Sequence, residues 1–190
     1  LKQPVYLLFW SESQKILPFL SVRIPPHHQK SIVFFPEYYE WLDEISPAHI
    51  FSRSIHGEGF RMRKSFENGN SQLQKYDSCL ENALTVESPE SLCKIALNRL
   101  RWPSRWKNIF REKYENVIKK YMGTAFTLAV KDQDFPMLQF ICEHFSPDAS
   151  ALASAIDQCI EKEWGEGNAF LIEAKHKSFS KKTFDFDLDF

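Results

Sequence analysis

Two stretches of this chain hold most of the residues able to do chemistry. The first is His56-Gly57-Glu58-Gly59, an imidazole and a carboxylate two positions apart between glycines, flanked by Arg53, Arg61, Arg63 and Lys64. A His/Glu pair at that spacing can pass a proton, and the four surrounding cations can hold a phosphate or a nucleic-acid backbone. A plain surface turn accounts for the same residues and is the preferred reading. The second stretch, 99–120, sets eight Lys/Arg against Glu112 and Glu115, a local balance of +6. Within it Trp102, Arg105, Trp106, Lys107 and Arg111 interleave rings with charge. Such a surface can neutralise phosphates while an indole stacks on a base. It can equally anchor a protein partner through its rings while its cations orient the encounter. Because the rings recur at helical spacing, burying them beneath a solvated cationic face explains the pattern without any ligand.

Catalytic signatures are otherwise missing. There is no nucleophile elbow, P-loop, GxGxxG or HExxH. His27-His28 adjoins Pro25-Pro26 and makes a poor metal site. The four cysteines, Cys79, Cys93, Cys142 and Cys159, form no CxxC pair, so zinc has little support. The expectation is therefore no enzyme, no metal and no cofactor. Three of the thiols sit in apolar helical patterns, where reduced buried cysteines are common, which points to an intracellular location, cytoplasmic or nuclear. A net charge of −1 offers no global case for nucleic acid or membrane, and no apolar run reaches the roughly 18 residues a membrane helix needs. Only 6 glycines among 190 residues argue against glycine-rich nucleotide loops and a turn-dense all-β fold. Seventeen Phe, 6 Tyr and 5 Trp promise a core and interfaces dominated by rings. The first residue is Leu, as in an excised fragment.

These residues must be positioned by a small β section and a longer helical one. Continuous apolar runs at 4–10, 16–24 and 31–35 predict strands, the second weakened near its start by Pro18. Tyr38, Tyr39, Trp41, Leu42 and Ile45 have helical spacing, with Pro36 ahead and Pro47 behind, and predict a helix. Residues 50–70 predict a hairpin turning at His56-Gly57-Glu58-Gly59. From Leu73 onward the chain reads as helical. Leu73, Tyr76, Leu80 and Leu84 define one face. Ser88-Pro89-Glu90 opens a second helix with a serine cap and a proline in the first turn. After Pro103 comes the basic helix, with Gly123 as its expected close. The last segment alternates strictly: Phe184, Phe186, Leu188 and Phe190 fall on one side of an extended chain and Asp185, Asp187 and Asp189 on the other. It can add to a sheet edge of this or another molecule or form a disordered acidic end; the expectation is that it packs within the molecule, its Asp residues near the basic helix or the Arg61–Lys64 loop.

An internal repeat runs through the helical part. Ser91-Leu92-Cys93-Lys94-Ile95-Ala96-Leu97 aligns with Thr124-Ala125-Phe126-Thr127-Leu128-Ala129-Val130, 33 positions on, and with Ser150-Ala151-Leu152-Ala153-Ser154-Ala155-Ile156, 26 further. Each has a hydroxyl first, Ala sixth and a branched aliphatic seventh. Partner helices are expected at 135–145 and 168–174. Over 88–176 this pattern resembles ankyrin repeats, whose Thr-Pro-Leu-His-x-Ala-Ala opening is matched by Thr124, Phe126, Ala129 and Val130; Ala125 stands in place of the proline and Thr127 in place of the histidine. That resemblance implies stacked helical pairs serving as a binding scaffold, and names no catalytic residue. Leu92-Cys93-Lys94 with Trp102-Pro103-Ser104-Arg105-Trp106-Lys107 also resembles a SOCS box, which would imply a ubiquitin-ligase adaptor. Pro89 stands where that family's docking Leu belongs, and nearly seventy residues follow a motif that usually ends its protein.

The chain is therefore expected to be α+β and mainly helical. Residues 1–70 would form a small β or α+β section, 71–179 stacked antiparallel helical pairs (ankyrin-like), and 180–190 an acidic, aromatic tail. The expected function is a non-catalytic protein–protein interaction scaffold or adaptor. Its partner-binding residues would be Trp102, Arg105, Trp106, Lys107, Arg111, Phe184, Phe186, Leu188 and Phe190. The contrasting expectation is nucleic-acid binding through 53–64 (Arg53, Arg61, Arg63, Lys64) and 99–120.

Overall fold

The computed structural model describes residues 19–24, 29–36, 38–43, 51–66, 72–103 and 107–182, with side chains at 32–36, 57–66, 72–103 and 107–177. The fold is α+β and mainly helical. Strand β1 (Phe19–Ile24) pairs antiparallel with β2 (Gln29–Phe34), Phe19 opposite Phe34 and Ile24 opposite Gln29. β1 begins just after Pro18, as expected of a residue that cannot donate to a ladder. The strand expected at 4–10 lies outside the described residues.

Two local readings are corrected. Residues 38–43, within the expected helix, form a strand: β3 (Tyr38–Asp43) pairs antiparallel with β4 (Phe51–His56), Tyr38 opposite His56 and Asp43 opposite Phe51. Six residues are too few to tell a period of 3.6 from one of 2, and the run Tyr-Tyr-Glu-Trp is rich in strand-forming rings. The hairpin expected to turn at His56-Gly57-Glu58-Gly59 is absent: β4 pairs backwards with β3, and the residues expected to begin the second arm are helical. Instead the chain bends at Gly57, whose φ of 96° suits a residue without Cβ, and enters the short helix α1 (Gly59–Lys64).

The chain divides into two compact units, 1–115 and 116–190. Helices α2 (Leu73–Ser78), α3 (Leu80–Val86) and α4 (Pro89–Arg101) belong to the first; α5 (Asn108–Lys120) spans the division. The break expected after residue 70 falls inside the first unit because β2 lies against α4. It is tied further by Tyr76 of α2, whose hydroxyl donates to the Phe34 carbonyl at 2.7 Å. Phe35, Phe66 and Tyr76 meet edge to face with centroids 5.7 to 6.1 Å apart, an arrangement that aligns positive ring edges with negative faces. α4 starts as its sequence dictates: Ser91 N–H donates to the Ser88 Oγ at 3.2 Å, with Pro89 in the first turn. Its inner face buries Leu92, Cys93, Ile95, Ala96 and Leu97.

The second unit is built from helical pairs. α6 (Met122–Lys131) packs on α7 (Phe135–Phe145), and α8 (Ala149–Glu161) on α9 (Gly165–Lys182); α6 also lies against α8, and α7 against α9. Asp134 and Asp148 cap α7 and α8, accepting from Met137 N at 2.9 Å and Ala151 N at 2.7 Å. Gly123, expected to close the basic helix, lies within α6. The turns inside the two pairs are copies of each other. Asp134 N–H reaches back to Ala129 O and Trp164 N–H to Cys159 O, each at 2.9 Å, around the left-handed residues Gln133 (φ 48°) and Glu163 (φ 54°). Both are six-to-one helix closures. They set the repeat offset at 30 residues, not the 26 read from residues 124–130 and 150–156. The four-residue slip escaped notice because one helical turn returns to the same face.

At these two turns a side chain occupies a conformation that favours glycine. Gln133→Gly and Glu163→Gly are each expected to raise stability by about 0.5–1 kcal/mol, the relieved left-handed strain exceeding the extra chain entropy of glycine. Denaturant midpoints of the single variants check this; unchanged or lower midpoints would count against it.

Candidate functional site

Deepest in the first unit is a polar cluster. Asp77 on α2 and Arg99 on α4 are both fully buried, and the guanidinium grips the carboxylate with two parallel bonds, Nε to Oδ1 at 2.8 Å and Nη2 to Oδ2 at 2.9 Å. Tyr114 of α5 adds a third, its hydroxyl donating to Asp77 Oδ1 at 2.9 Å. A bidentate pair restricts both position and angle, so one carboxylate holds α2, α4 and the 108–115 part of α5 in fixed relation. Burial alone would lower the Arg99 pKa, but the hydrogen bonds and charge of Asp77 outweigh it and hold the pKa above its ordinary value. The Tyr114 phenol is pushed well up, first by burial and then by the Asp77 charge; Tyr76 is likewise raised by burial, opposed by Arg99.

On the surface over this cluster, Lys113 of α5 forms an ion pair with Glu81 of α3. Glu81 is held below the usual carboxylate range by that hydrogen bond and the Lys113 charge. Leu84, three positions after Glu81, and Ile109, four before Lys113, stand on the same sides of their helices as the paired charges. They are 44% and 56% exposed, and nearby Val86 is 65% exposed. The two helices thus present aliphatic side chains to solvent around one bridging ion pair. The apolar face expected of Leu73, Tyr76, Leu80 and Leu84 is buried through Leu80 and emerges at Leu84, near the end of α3.

The cations that suggested a phosphate surface are mostly engaged. Besides buried Arg99, Arg101 sits over the Trp102 ring at 4.6 Å, and Arg111 pairs with Glu115 at 2.8 Å. In the other basic segment Arg61 faces Glu58 at 3.6 Å, Arg63 lies over Phe35 at 4.7 Å, and Lys64 over Phe60 at 4.5 Å. Lys107 is exposed and Trp102 half-buried. Arg105, Trp106, Phe184, Phe186, Leu188, Phe190 and the Arg53 side chain lie outside the described residues. Leu92 and Cys93, which carry the SOCS-box likeness, are core residues of α4.

The glycine-bounded loop is not a plain surface turn. Glu58 is buried, and its N–H donates to Glu87 Oε1 at 2.6 Å, fastening the β4–α1 bend to the end of α3. The side chain of His56 lies outside the described residues. Cys79, half-buried nearby, has its thiol pKa raised by burial and then by the Glu58 charge, and burial pushes Cys93 up to about 12. Neither is an activated nucleophile. Among the described residues no group of three or more His, Cys, Asp and Glu stands together as a metal site, and no helix is long and apolar enough to cross a membrane.

The tyrosine shifts have a measurable sign. In an unfolded chain the phenols lose their protons near pH 10, while in the fold Tyr76 and Tyr114 keep theirs to higher pH. The stabilisation is complete below pH 10. Above it the unfolded state binds fewer protons, so stability falls by about 1.4 kcal/mol per pH unit for each tyrosine, about 2.7 for the two. Denaturant midpoints at pH 9, 10 and 11 check this, and Tyr114→Phe is expected to reduce the slope by one tyrosine's share.

What fixes this site is thus a buried three-residue cluster that sequence reasoning missed; the acid at 77 and the base at 99, 22 positions apart, fall at core-facing helix positions, and that was the available signal. In comparisons with known proteins, no protein family, curated protein or solved structure matches the chain.

Proposed function

We propose that the chain is a non-catalytic protein–protein interaction scaffold, an adaptor within an intracellular assembly. The observation that carries this reading is the α3/α5 face, where exposed Leu84 and Ile109 flank the Glu81–Lys113 ion pair and α5 is itself anchored by Tyr114 to the fully buried Asp77–Arg99 pair. Aliphatic anchors on a pre-organised surface bind without paying to order it, and a rim of neutralised charge excludes water without demanding a charged partner. The 30-residue repetition of helical pairs supports an ankyrin-like scaffold. The engagement of Arg99, Arg101, Arg111 and Lys113 inside the protein weighs against a phosphate-tracking role. Four free thiols among the described residues accord with a reducing compartment.

Leu84→Asp and Ile109→Asp test the reading. Both positions are exposed, so stability is expected to change by no more than about 0.5 kcal/mol. Proteins retained from cell extract by the wild-type chain should be lost at least fivefold with either variant. Retention equal to wild type would overturn the proposal. A parallel titration with single- and double-stranded oligonucleotides should show no steep salt dependence; a slope of several counterions would establish the nucleic-acid alternative.

A further inference from the structure

The second unit carries an unfilled helix position, independent of the α3/α5 face. Because the turns of the two pairs coincide at an offset of 30, Phe126 and Val130 of α6 correspond to Ile156 and Ile160 of α8. On α6 these side chains are shut from solvent, Phe126 at 0% and Val130 at 1% exposure. On α8 Ile156 is half-buried and Ile160 is 59% exposed. In a repeated stack, the side that α6 turns toward α8 becomes, on α8, the side turned toward whatever follows. The stripe Ala153, Ile156 and Ile160 therefore has the spacing to receive another helix, and among the described residues none is there.

The charges bordering the stripe select the occupant. Asp157, Glu161 and Glu163 are exposed around Ile160, with Lys162 as the one cation between them. A second copy presenting the same stripe would bring like charges together. The chain's own 184–190 segment carries three Asp and alternates with period two, so it supplies neither the charge nor the helical spacing. We infer that α8 is a docking site for an amphipathic α-helix of a partner protein whose aliphatic stripe is bordered by Lys or Arg. The aliphatic contact would supply affinity, and the carboxylates would set orientation and encounter rate.

The test titrates the full chain against a fluorescent 18-residue Lys/Leu peptide with leucines at helical spacing, and against a Glu/Leu counterpart. The Lys/Leu peptide should bind and the Glu/Leu peptide bind at least tenfold more weakly. Ile160→Asp and the charge-reversed pair Glu161→Lys/Glu163→Lys should each weaken Lys/Leu binding at least tenfold, with helical content unchanged by circular dichroism. The reversed pair should also reverse the peptide preference, an outcome that general stickiness cannot produce. Failure of the Lys/Leu peptide to bind, or equal binding by the wild type and both variants, overturns the inference. So does tighter peptide binding after deletion of 183–190, which would make that segment the occupant. Self-association of the wild type that Ile160→Asp abolishes would make it a second copy and overturn the inference too.

Discussion

Asp77→Ala should destabilise the first unit by about 3–5 kcal/mol, a large share of the roughly 5–15 kcal/mol that holds an ordinary domain folded. The substitution leaves the Arg99 guanidinium in a site with no access to solvent and removes the acceptor of the Tyr114 hydroxyl. A charge stranded in low dielectric is the costliest outcome, larger than the net value of the pair itself. Hence a sharper contrast: the triple variant Asp77→Leu/Arg99→Met/Tyr114→Phe, which removes every polar member together, should lie much closer to wild type than Asp77→Ala does. Urea unfolding followed by circular dichroism reads both. An Asp77→Ala midpoint within experimental error of wild type would show that the cluster does not hold α2, α4 and α5.

Gly167→Ala is expected to have the largest effect in the second unit. A Cβ there would fall 2.6 and 2.7 Å from Cδ2 and Cζ3 of Trp164, a mostly buried ring with little freedom to move. Overpacking of this kind typically costs about 1–3 kcal/mol, reversing the usual benefit of alanine over glycine in a helix. Gly123→Ala in α6 is the control: nothing lies within 4 Å of its Cβ, and a gain of up to about 1 kcal/mol is expected. Trp164→Leu should be less harmful in the Gly167→Ala background than alone, since the shorter side chain vacates the space; a double-mutant cycle gives the sign. Additive effects would show that the ring does not constrain residue 167.

The helical part of the fold was legible because its signals are local. Ser88-Pro89 announces a helix start by side-chain capping, and the apolar positions of α4 to α8 recur at helical spacing over ten residues or more; the equivalent caps Asp134 and Asp148 emerge only in the structure. The strand at 38–43 was not legible, since Tyr38, Tyr39, Trp41 and Leu42 fit a helical spacing as well as an alternating one over so few residues, and with it went the true partner of 51–56. The site divided along the same line. Trp102, Lys107 and Arg111 stand out because charge and rings cluster in the sequence, yet the structure buries Arg99 and pairs Arg111 with Glu115 one turn away and Lys113 with Glu81 of α3. Asp77 lies on the apolar side of its helix, four positions after Leu73 and three before Leu80, but only α4 and α5 arriving beside α2 supply the partners that make it the centre of the unit.

The spacing of the Asp77 contacts also sets an order of events at the ribosome. Asp77 is made 22 residues before Arg99 and 37 before Tyr114. At about 5–20 residues per second, roughly 2 to 7 s separate the carboxylate from its last donor. Until Arg99 follows, 22 residues and about 1 to 4 s after Asp77, α2 cannot settle into a dry interior, because an unpaired carboxylate there is too costly. The third bond waits for Tyr114, one residue before the unit's end at 115. Until then its aromatic residues stay open to chaperones, and slowing translation between codons 99 and 114 should prolong that exposure.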